Sequence, residues 1–193
     1  MPQLWAETVR AHQEEVRDAI LEAVDELVRT RGLLALNMSA VAAAAGIGRA
    51  TLYKYFSDIE QVVAAWHDRQ VAAHLAQLVA IREQPGESAE RLRTVLAAYG
   101  RICQQRQNHA DELTAALHHS QQANEGQARL IAIIADLIVE ASTAGAVRSD
   151  VPPRELAAYC VCALEAASST STPAQLARLV QVIWVGLAPP DVQ

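Results

Sequence analysis

The sequence predicts an all-α fold of about nine helices. Apolar residues recur at intervals of three and four along most of the chain, and no long stretch alternates with a period of two. Glycine and proline lie mainly between these periodic segments, where they end one helix and precede the next. The chain has 193 residues, of which 51% are hydrophobic, so it is long enough to bury a substantial core.

Composition and charge exclude several classes of protein. No apolar run approaches the ~20 residues that a membrane-spanning helix needs. Acidic residues such as Glu7, Glu14 and Glu15 interrupt the region where a secretory signal would be apolar, so we expect a cytoplasmic protein. The three cysteines form no disulfide framework, because their number is odd and Cys160 and Cys162 lie two residues apart.

The first long helix is predicted from an apolar stripe. Val16, Ile20, Val24 and Val28 recur every four residues, and the helix is expected to end at Gly32. Such a stripe packs against a core on one side only, which leaves the acidic residues of this segment free to face solvent.

Residues 37–56 predict two short helices joined by a tight turn. Asn37 is suited to be the N-cap of the first helix. The alanines at 42–45 keep that helix thin enough for a second to cross it closely, and Gly46 follows where a helix end favours a positive φ. Gly48 opens the second helix without a capping hydroxyl.

The second of these helices is rich in side chains that form hydrogen bonds. They are Arg49, Thr51, Tyr53, Lys54 and Tyr55, and Lys54 is the only lysine of the chain. Leu52 and Phe56 are assigned to the core. This layout is typical of a helix-turn-helix whose second helix enters the major groove of DNA.

The next helix is predicted over residues 58–80, with Ser57 and Glu60 as a capping box. At 1.5 Å per residue it would be about 35 Å long. We expect it to join the DNA-binding part of the chain to the part that follows.

A second group of helices is expected after the break at Pro85 and Gly86. Thr172, Pro173 and Gln175 predict a capping-box start for the last helix, with proline at its first position. The predicted helices span residues 88–106, 109–121, 125–144, 153–169 and 174–187.

A specific resemblance comes from the run VAAAAGIGRATLYKYF, residues 41–56, and above all from its T-L-Y-x-Y-F ending. Together with the long helix before it and the capped helix after it, the stretch from about Val16 to Trp66 resembles the N-terminal DNA-binding domain of the TetR family of bacterial transcriptional regulators. The resemblance covers the first third of the chain in detail.

The resemblance implies a DNA-binding domain at residues 10–70 and a helical ligand-sensing and dimerisation domain at residues 71–189. It implies a dimeric transcriptional regulator, most naturally a repressor, that binds a near-palindromic operator and responds to a small-molecule effector. We therefore expect no enzymatic activity and no cofactor.

The predicted DNA contacts combine side-chain chemistry with the resemblance. Arg49 is able to pair with guanine or a phosphate, and Thr51 is able to offer its methyl group to thymine. The resemblance assigns phosphate contacts to Asn37, Ser39 and Tyr53. The full predicted set is Asn37, Ser39, Arg49, Ala50, Thr51, Tyr53, Lys54 and Tyr55.

Two features qualify the DNA-binding prediction. Relatives usually carry a lysine near the start of the fourth helix, where this sequence has Ile59 between Asp58 and Glu60, so one phosphate anchor is absent. The net charge is −6, and acids outnumber bases between residues 10 and 60. Most of those acids lie on the first helix, so we expect few phosphate contacts and a shallow dependence of affinity on salt.

Residues 153–187 are predicted to form a homodimer interface, as the resemblance implies. The alternative is that the same apolar stripes belong to the core of one subunit. The stripes are Leu156, Tyr159, Cys160 and Leu164 on one helix and Leu176, Leu179, Val180 and Ile183 on the next.

The segment between residues 88 and 144 has more apolar residues than one stripe needs, which favours a ligand pocket. The candidate ligand-binding residues are Trp66, Tyr99, Cys103, His109 and His118. For each of them, an ordinary place in the core or on the surface is the alternative.

Two other functions remain open. An all-helical metal-dependent enzyme would use His109, Asp111, Glu112, His118 and His119, although their spacing matches no known metal-ligand pattern. A helix-turn-helix protein that contacts other proteins and not DNA is the second alternative.

Overall fold

The computed structural model describes residues 2–106 and 121–190, with side chains at residues 10–105 and 125–190. The described residues form α-helices and short 3-10 turns without a strand, which confirms the all-α prediction. The helices are α1 (Pro2–Arg31), α2 (Met38–Ala44), α3 (Arg49–Tyr55), α4 (Ile59–Arg82), α5 (Ser88–Arg106), α6 (Gln121–Thr143), α7 (Pro153–Glu165) and α8 (Pro173–Leu187).

The helix predicted at residues 109–121 lies almost wholly outside the described residues. The helix predicted at 153–169 is α-helical only to Glu165 and continues as a 3-10 turn, Ala166–Ser169. Ser168 donates its hydroxyl hydrogen to the Glu165 carbonyl at 2.7 Å, which satisfies a helix-end acceptor where the chain tightens. Among the described helices, none is both long enough and apolar enough to cross a bilayer.

The chain forms two compact units, of which one ends at Gln70 and the other begins at Val71. We call them the N-terminal unit and the C-terminal unit. Helix α4 runs through the boundary between them. The core of the N-terminal unit contains Ile20, Leu21, Val24, Leu27, Val28, Leu33, Val41, Ala42, Leu52, Phe56, Val62, Val63 and Trp66.

The C-terminal unit packs α5 against α6, α7 and α8. Gly100 of α5 shows how close this packing is, since a Cβ atom built there would lie 2.5 Å from Cδ1 of Leu176 and 3.3 Å from Cδ2 of Leu164. A larger residue at position 100 would force these leucines to move, so glycine permits the close approach of α5 and α8.

The cysteines behave as the two-residue spacing predicts. Cys160 is buried and Cys162 is exposed, so the two side chains leave α7 on different sides. Burial raises the pKa of the Cys160 thiol to about 12, which keeps it protonated and unreactive at neutral pH. Cys103 is also buried.

The predicted capping box of the last helix is confirmed. The backbone N–H of Gln175 donates to Oγ1 of Thr172 at 3.2 Å, and the N–H of Thr172 donates to Oε1 of Gln175 at 3.0 Å. Pro173 occupies the first helical position, where its missing N–H costs nothing.

The predicted capping box of Ser57 and Glu60 is wrong by one residue. Helix α4 begins at Ile59, and Oδ1 of Asp58 accepts from the backbone N–H of Gln61 at 2.8 Å. Oε1 of Gln61 accepts in turn from the N–H of Ser57 at 3.2 Å. Aspartate is as good an N-cap as serine, and here the chain places Asp58 at the helix entry.

Replacement of Thr172 by alanine tests the role of this cap. We expect the free energy of unfolding to fall by about 1 kcal/mol, because the α8 N–H groups lose their side-chain acceptor. Urea denaturation at one fixed protein concentration measures the change. Thr94→Ala is the control, since Thr94 is exposed within α5 and donates its hydroxyl hydrogen to the Glu90 carbonyl of the same helix. Equal losses in the two variants would contradict a capping role.

Candidate nucleic-acid interface

The start of α2 is held by Asn37, as the sequence predicts. Its Oδ1 accepts from the backbone N–H of Ser39 at 3.1 Å and of Ala40 at 2.9 Å. Asn37 and Ser39 are both exposed. These contacts leave the Ser39 hydroxyl at the surface, near the positive end of the α2 dipole, where an anionic oxygen is favoured.

The turn between α2 and α3 has the geometry of a Schellman motif. Gly46 has φ +67°, the Ile47 N–H donates to the Ala42 carbonyl at 3.0 Å, and the Gly46 N–H donates to the Ala43 carbonyl at 3.2 Å. The left-handed φ at Gly46 reverses the chain within a few residues, so that α3 begins soon after α2 ends.

Helix α3 has one buried side and one exposed side. Leu52 is fully buried, and the helix is followed by Phe56, which is 2% exposed. The opposite side carries Arg49, Ala50, Tyr53 and Lys54, all exposed, while Thr51 and Tyr55 are partly buried. The exposed side therefore presents the guanidinium, ammonium and phenol groups of one short helix together.

Phe56 also receives a contact that the sequence did not predict. The guanidinium of Arg17, on α1, lies over the Phe56 ring, with its carbon 4.7 Å from the ring centroid. This cation–π contact joins α1 to the residue that ends α3. It helps to hold the exposed side of α3 in one orientation.

Two acidic residues of α1 form hydrogen bonds or an ion pair with side chains of α4. Oδ1 of Asp25 accepts from Nε1 of Trp66 at 3.2 Å and from Nε2 of Gln70 at 2.7 Å. Glu22 forms an ion pair with Arg69 at 3.6 Å. These acids therefore serve the packing of α1 on α4 within the N-terminal unit.

One acid does lie close to α3 in the sequence. Hydrogen bonds from the Ser57 hydroxyl and from the backbone N–H of Gln61 lower the pKa of Asp58, so this carboxylate stays ionised as the N-cap of α4. Ile59, which stands where relatives carry lysine, is partly buried. The start of α4 thus offers no cationic side chain for a phosphate at these positions.

The described ligand-binding candidates lie in packed cores. Trp66 is 7% exposed and belongs to the N-terminal unit, while Tyr99 and Cys103 are 5% and 2% exposed in the core of the C-terminal unit. His109 and His118 lie outside the described residues, as do the other metal-site candidates Asp111, Glu112 and His119. A role in effector binding stays a prediction for all of the ligand-binding candidates.

A cleft of about 420 Å³ lies between α4 and α6 in the C-terminal unit. None of Trp66, Tyr99 and Cys103 lines it. Its lining residues are Ala72, Leu75, Ala76, Val79, Arg82, Arg129, Ala132, Ile133 and Asp136. Across residues 10–105 and 125–190, no group of three or more His, Cys, Asp or Glu side chains is placed to hold a metal ion.

Two family models match the chain. Residues 20–66 match the model described as bacterial regulatory proteins, tetR family. Residues 101–189 match the model described as the C-terminal domain of SbtR-like transcriptional regulators. The chain belongs to the TetR family. No curated protein matches it at a significant level.

Solved structures of transcriptional regulators share its fold. A regulator from Pectobacterium atrosepticum is 25% identical, with a TM-score of 0.77 over 93% of this chain and 97% of that one. A regulator from Haloarcula marismortui is 13% identical, with a TM-score of 0.73 over 90% and 98% of the two chains. FadR from Bacillus subtilis, solved with stearoyl-CoA, is 14% identical, with a TM-score of 0.66 over 88% and 98%.

This TetR-family chain is therefore a transcriptional regulator. The matched family and the solved structures are regulators and not enzymes, which agrees with the expectation of no enzymatic activity. The resemblance noted in residues 41–56 is confirmed by the family model over residues 20–66.

The residues that orient α4 were missed in the sequence. One signal was available for Asp25, since it follows Leu21 by four residues and so lies near the buried side of α1. A buried tryptophan also needs an acceptor for its N–H, which made an acid on a facing helix a reasonable partner for Trp66. No local signal connects Arg17 with Phe56.

Alanine replacement of Arg49 and Lys54 tests the exposed side of α3. If Arg49 pairs with a base, Arg49→Ala should weaken binding to a selected duplex by roughly 5- to 150-fold and relax the sequence preference at one position. If Lys54 meets a phosphate, Lys54→Ala should weaken binding to all duplexes and lower the slope of log affinity against log salt by about 1.

Fluorescence anisotropy with a labelled duplex, at several salt concentrations, measures both effects. Arg101→Ala is the matched control, because Arg101 is an exposed arginine of α5 in the C-terminal unit. Wild-type affinity in both α3 variants would mean that this side of α3 does not meet DNA.

Proposed function

We propose that this TetR-family protein is a homodimeric, ligand-responsive repressor that binds a near-palindromic operator in the cytoplasm. The observation that carries the proposal is the exposed side of α3. Arg49, Tyr53 and Lys54 point away from a helix whose other side is held by Leu52. The proposed contacts are those predicted from the sequence, with Asn37 and Ser39 at the start of α2 and Ala50, Thr51 and Tyr55 beside the exposed side.

The need for two subunits follows from the size of the recognition element. Helix α3 has seven residues, so one copy meets only a few base pairs. A few base contacts at about 1–3 kcal/mol each do not distinguish one operator from a genome of competing sites. A two-fold dimer doubles the contacts and matches an inverted repeat in the DNA.

We place the dimer interface on the outer sides of α7 and α8. Tyr159, Val182 and Val185 are 46%, 65% and 64% exposed, which is unusual for large apolar side chains so close together in one region. Tyr159 and α8 are close, since a Cβ atom built on Gly186 would lie 3.2 Å from the Tyr159 hydroxyl oxygen. Burial of these side chains against a second copy would remove them from water.

Most residues of the two apolar stripes predicted to form the dimer interface are instead buried within one subunit. The alternative, that they form the core of one subunit, holds for Leu156, Cys160, Leu164, Leu176 and Ile183, which are all buried in the C-terminal unit. Helix periodicity identified apolar positions correctly but did not distinguish the side facing the same subunit from the side facing outward.

Response to a ligand is supported by the family of the C-terminal unit and by the cleft between α4 and α6. FadR, a structural relative, was solved with stearoyl-CoA. A ligand acts on DNA binding only if it prefers one of two arrangements of the protein. Helix α4 would transmit ligand binding to the N-terminal unit, because it lines the cleft and continues into that unit.

Selection of bound duplexes from a random pool tests the proposed operator. We expect a consensus of two inverted half-sites, since each α3 of a two-fold dimer reads the same sequence in opposite orientation. Sequencing after several rounds of selection gives the result. Enrichment of a single unrepeated site would contradict dimeric recognition, and no enrichment at all would favour the protein-interaction alternative.

Replacement of Val182 by aspartate tests the proposed interface. We expect the dimer to dissociate to a species near the chain mass of 20.8 kDa, because a charge would be buried at the contact. Light scattering after size exclusion measures the mass. Val139→Asp serves as the control, since Val139 is 48% exposed on α6 and should leave the dimer intact. A Val182→Asp protein that stays dimeric would place the interface elsewhere.

A further inference from the structure

The cleft between α4 and α6 is lined mainly by short and branched alkyl side chains. Alanine supplies much of the lining, and its single methyl group does not fill the space between two helices. The alkyl lining residues are Ala72, Leu75, Ala76, Val79, Ala132 and Ile133. A volume of about 420 Å³ falls within the range of small-molecule sites.

Side-chain contacts join α4 and α6 near both ends of this cleft. Near one end, a Cβ atom built on Gly126 would lie 2.9 Å from Cγ1 of Val71. Near the other end, Arg82 forms an ion pair with Asp136 at 3.0 Å. The alanines of the lining therefore lie between two points at which α4 and α6 are joined by side-chain contacts.

The end near Arg82 is electrically balanced. Arg82 is paired with Asp136, and Arg91 of α5 donates to Oε2 of Glu140 at 2.6 Å and to the Arg82 carbonyl at 2.7 Å. The two ion pairs leave no net charge for a ligand at this end. An incoming cation would compete with an arginine that is already in place.

Arg129 differs from the other charged lining residues. It is exposed, lines the cleft and forms no ion pair with any residue in the described part of the chain. Arg129 and Asp136 are seven positions apart on α6, which is about 10 Å along a helix axis. The cleft thus has a neutral end, an alkyl middle and, in Arg129, one cation without an ion pair among the described residues.

We propose that this cleft binds an amphipathic monoanion, a medium-chain carboxylate, whose alkyl chain lies between α4 and α6 and whose carboxylate pairs with Arg129. The inference rests on the proposed ligand response and names the chemical class of the ligand. Burial of the alkyl chain provides most of the affinity, and the forked guanidinium provides the preference for an anion.

Isothermal titration with decanoate, kept below its micelle concentration, tests the proposal on the full chain without DNA. Decanol and decyltrimethylammonium are probes with the same chain length and with no charge or a positive charge. We expect decanoate to bind at least about 10-fold more tightly than either, because only the carboxylate forms charge-assisted hydrogen bonds with Arg129. Equal affinities for the three probes would overturn the assignment of an anion.

Variants locate the site. Ala76→Trp should fill the cleft and abolish decanoate binding, whereas Ala73→Trp, at an exposed alanine of α4 outside the lining, should bind as the wild type does. Arg129→Gln should lower the affinity for decanoate about 10-fold and leave the affinity for decanol unchanged. Arg101→Gln is its control. Circular dichroism checks that each variant folds, and Arg129→Gln tests the proposal even if Ala76→Trp does not fold.

Decanoate binding that survives both Ala76→Trp and Arg129→Gln would show a different site and overturn the proposal. A separate measurement of operator binding by the wild type keeps the two proposals apart. Operator binding without decanoate binding would reject the carboxylate cleft and leave the regulator proposal standing. Decanoate binding without operator binding would support the carboxylate cleft and reject the proposed operator binding.

Discussion

The burial of Leu52 and Phe56 against the rest of the N-terminal unit determines which side of α3 meets solvent. Leu52 is fully buried and Phe56 nearly so, and Arg17 covers the Phe56 ring from α1. With those positions fixed, the 3.6-residue period directs Lys54 away from Leu52, and Arg49 and Tyr53, at the border of the buried side, are exposed as well. Polar groups on a seven-residue helix would have little orientation of their own, so the apolar contacts behind them would be what allows α3 to read DNA as proposed.

Alanine has opposite consequences in two parts of the chain. In α2, Ala42 is buried beside the tight turn at Gly46, where a small side chain suits the close packing of α2 and α3, whereas Ala43 and Ala44 are exposed. In α4 and α6, alanines line the space between the two helices, and their missing side-chain volume contributes to a cleft. The difference lies in whether a neighbouring helix is free to move into the space that the small residue leaves.

Features set by neighbouring residues were predictable from the sequence, and features set by distant residues mostly were not. The Asn37 cap, the positive φ of Gly46 and the Thr172 capping box each depend on a few adjacent residues, and all were found. The cap of α4 was placed one residue early, because Ser57 and Asp58 are equally good caps and only packing chooses between them. The outward direction of Tyr159 depends on how α7 packs, which periodicity alone does not decide.

The acidic net charge is compatible with DNA binding because, within the N-terminal unit, the acidic side chains lie apart from the side chains of α3 that are proposed to contact DNA. Asp25 and Glu22 are engaged with α4 through Trp66, Gln70 and Arg69, and Asp58 caps the same helix. The exposed cations of α3 are thus the groups of that helix that we propose to meet a phosphate or a base edge. With few such cations, we expect counterion release to contribute little affinity, and discrimination between sequences would come from base contacts repeated in the two subunits of the proposed dimer. Such a dimer would gain little from binding DNA of random sequence, which would favour selective occupation of the proposed operator.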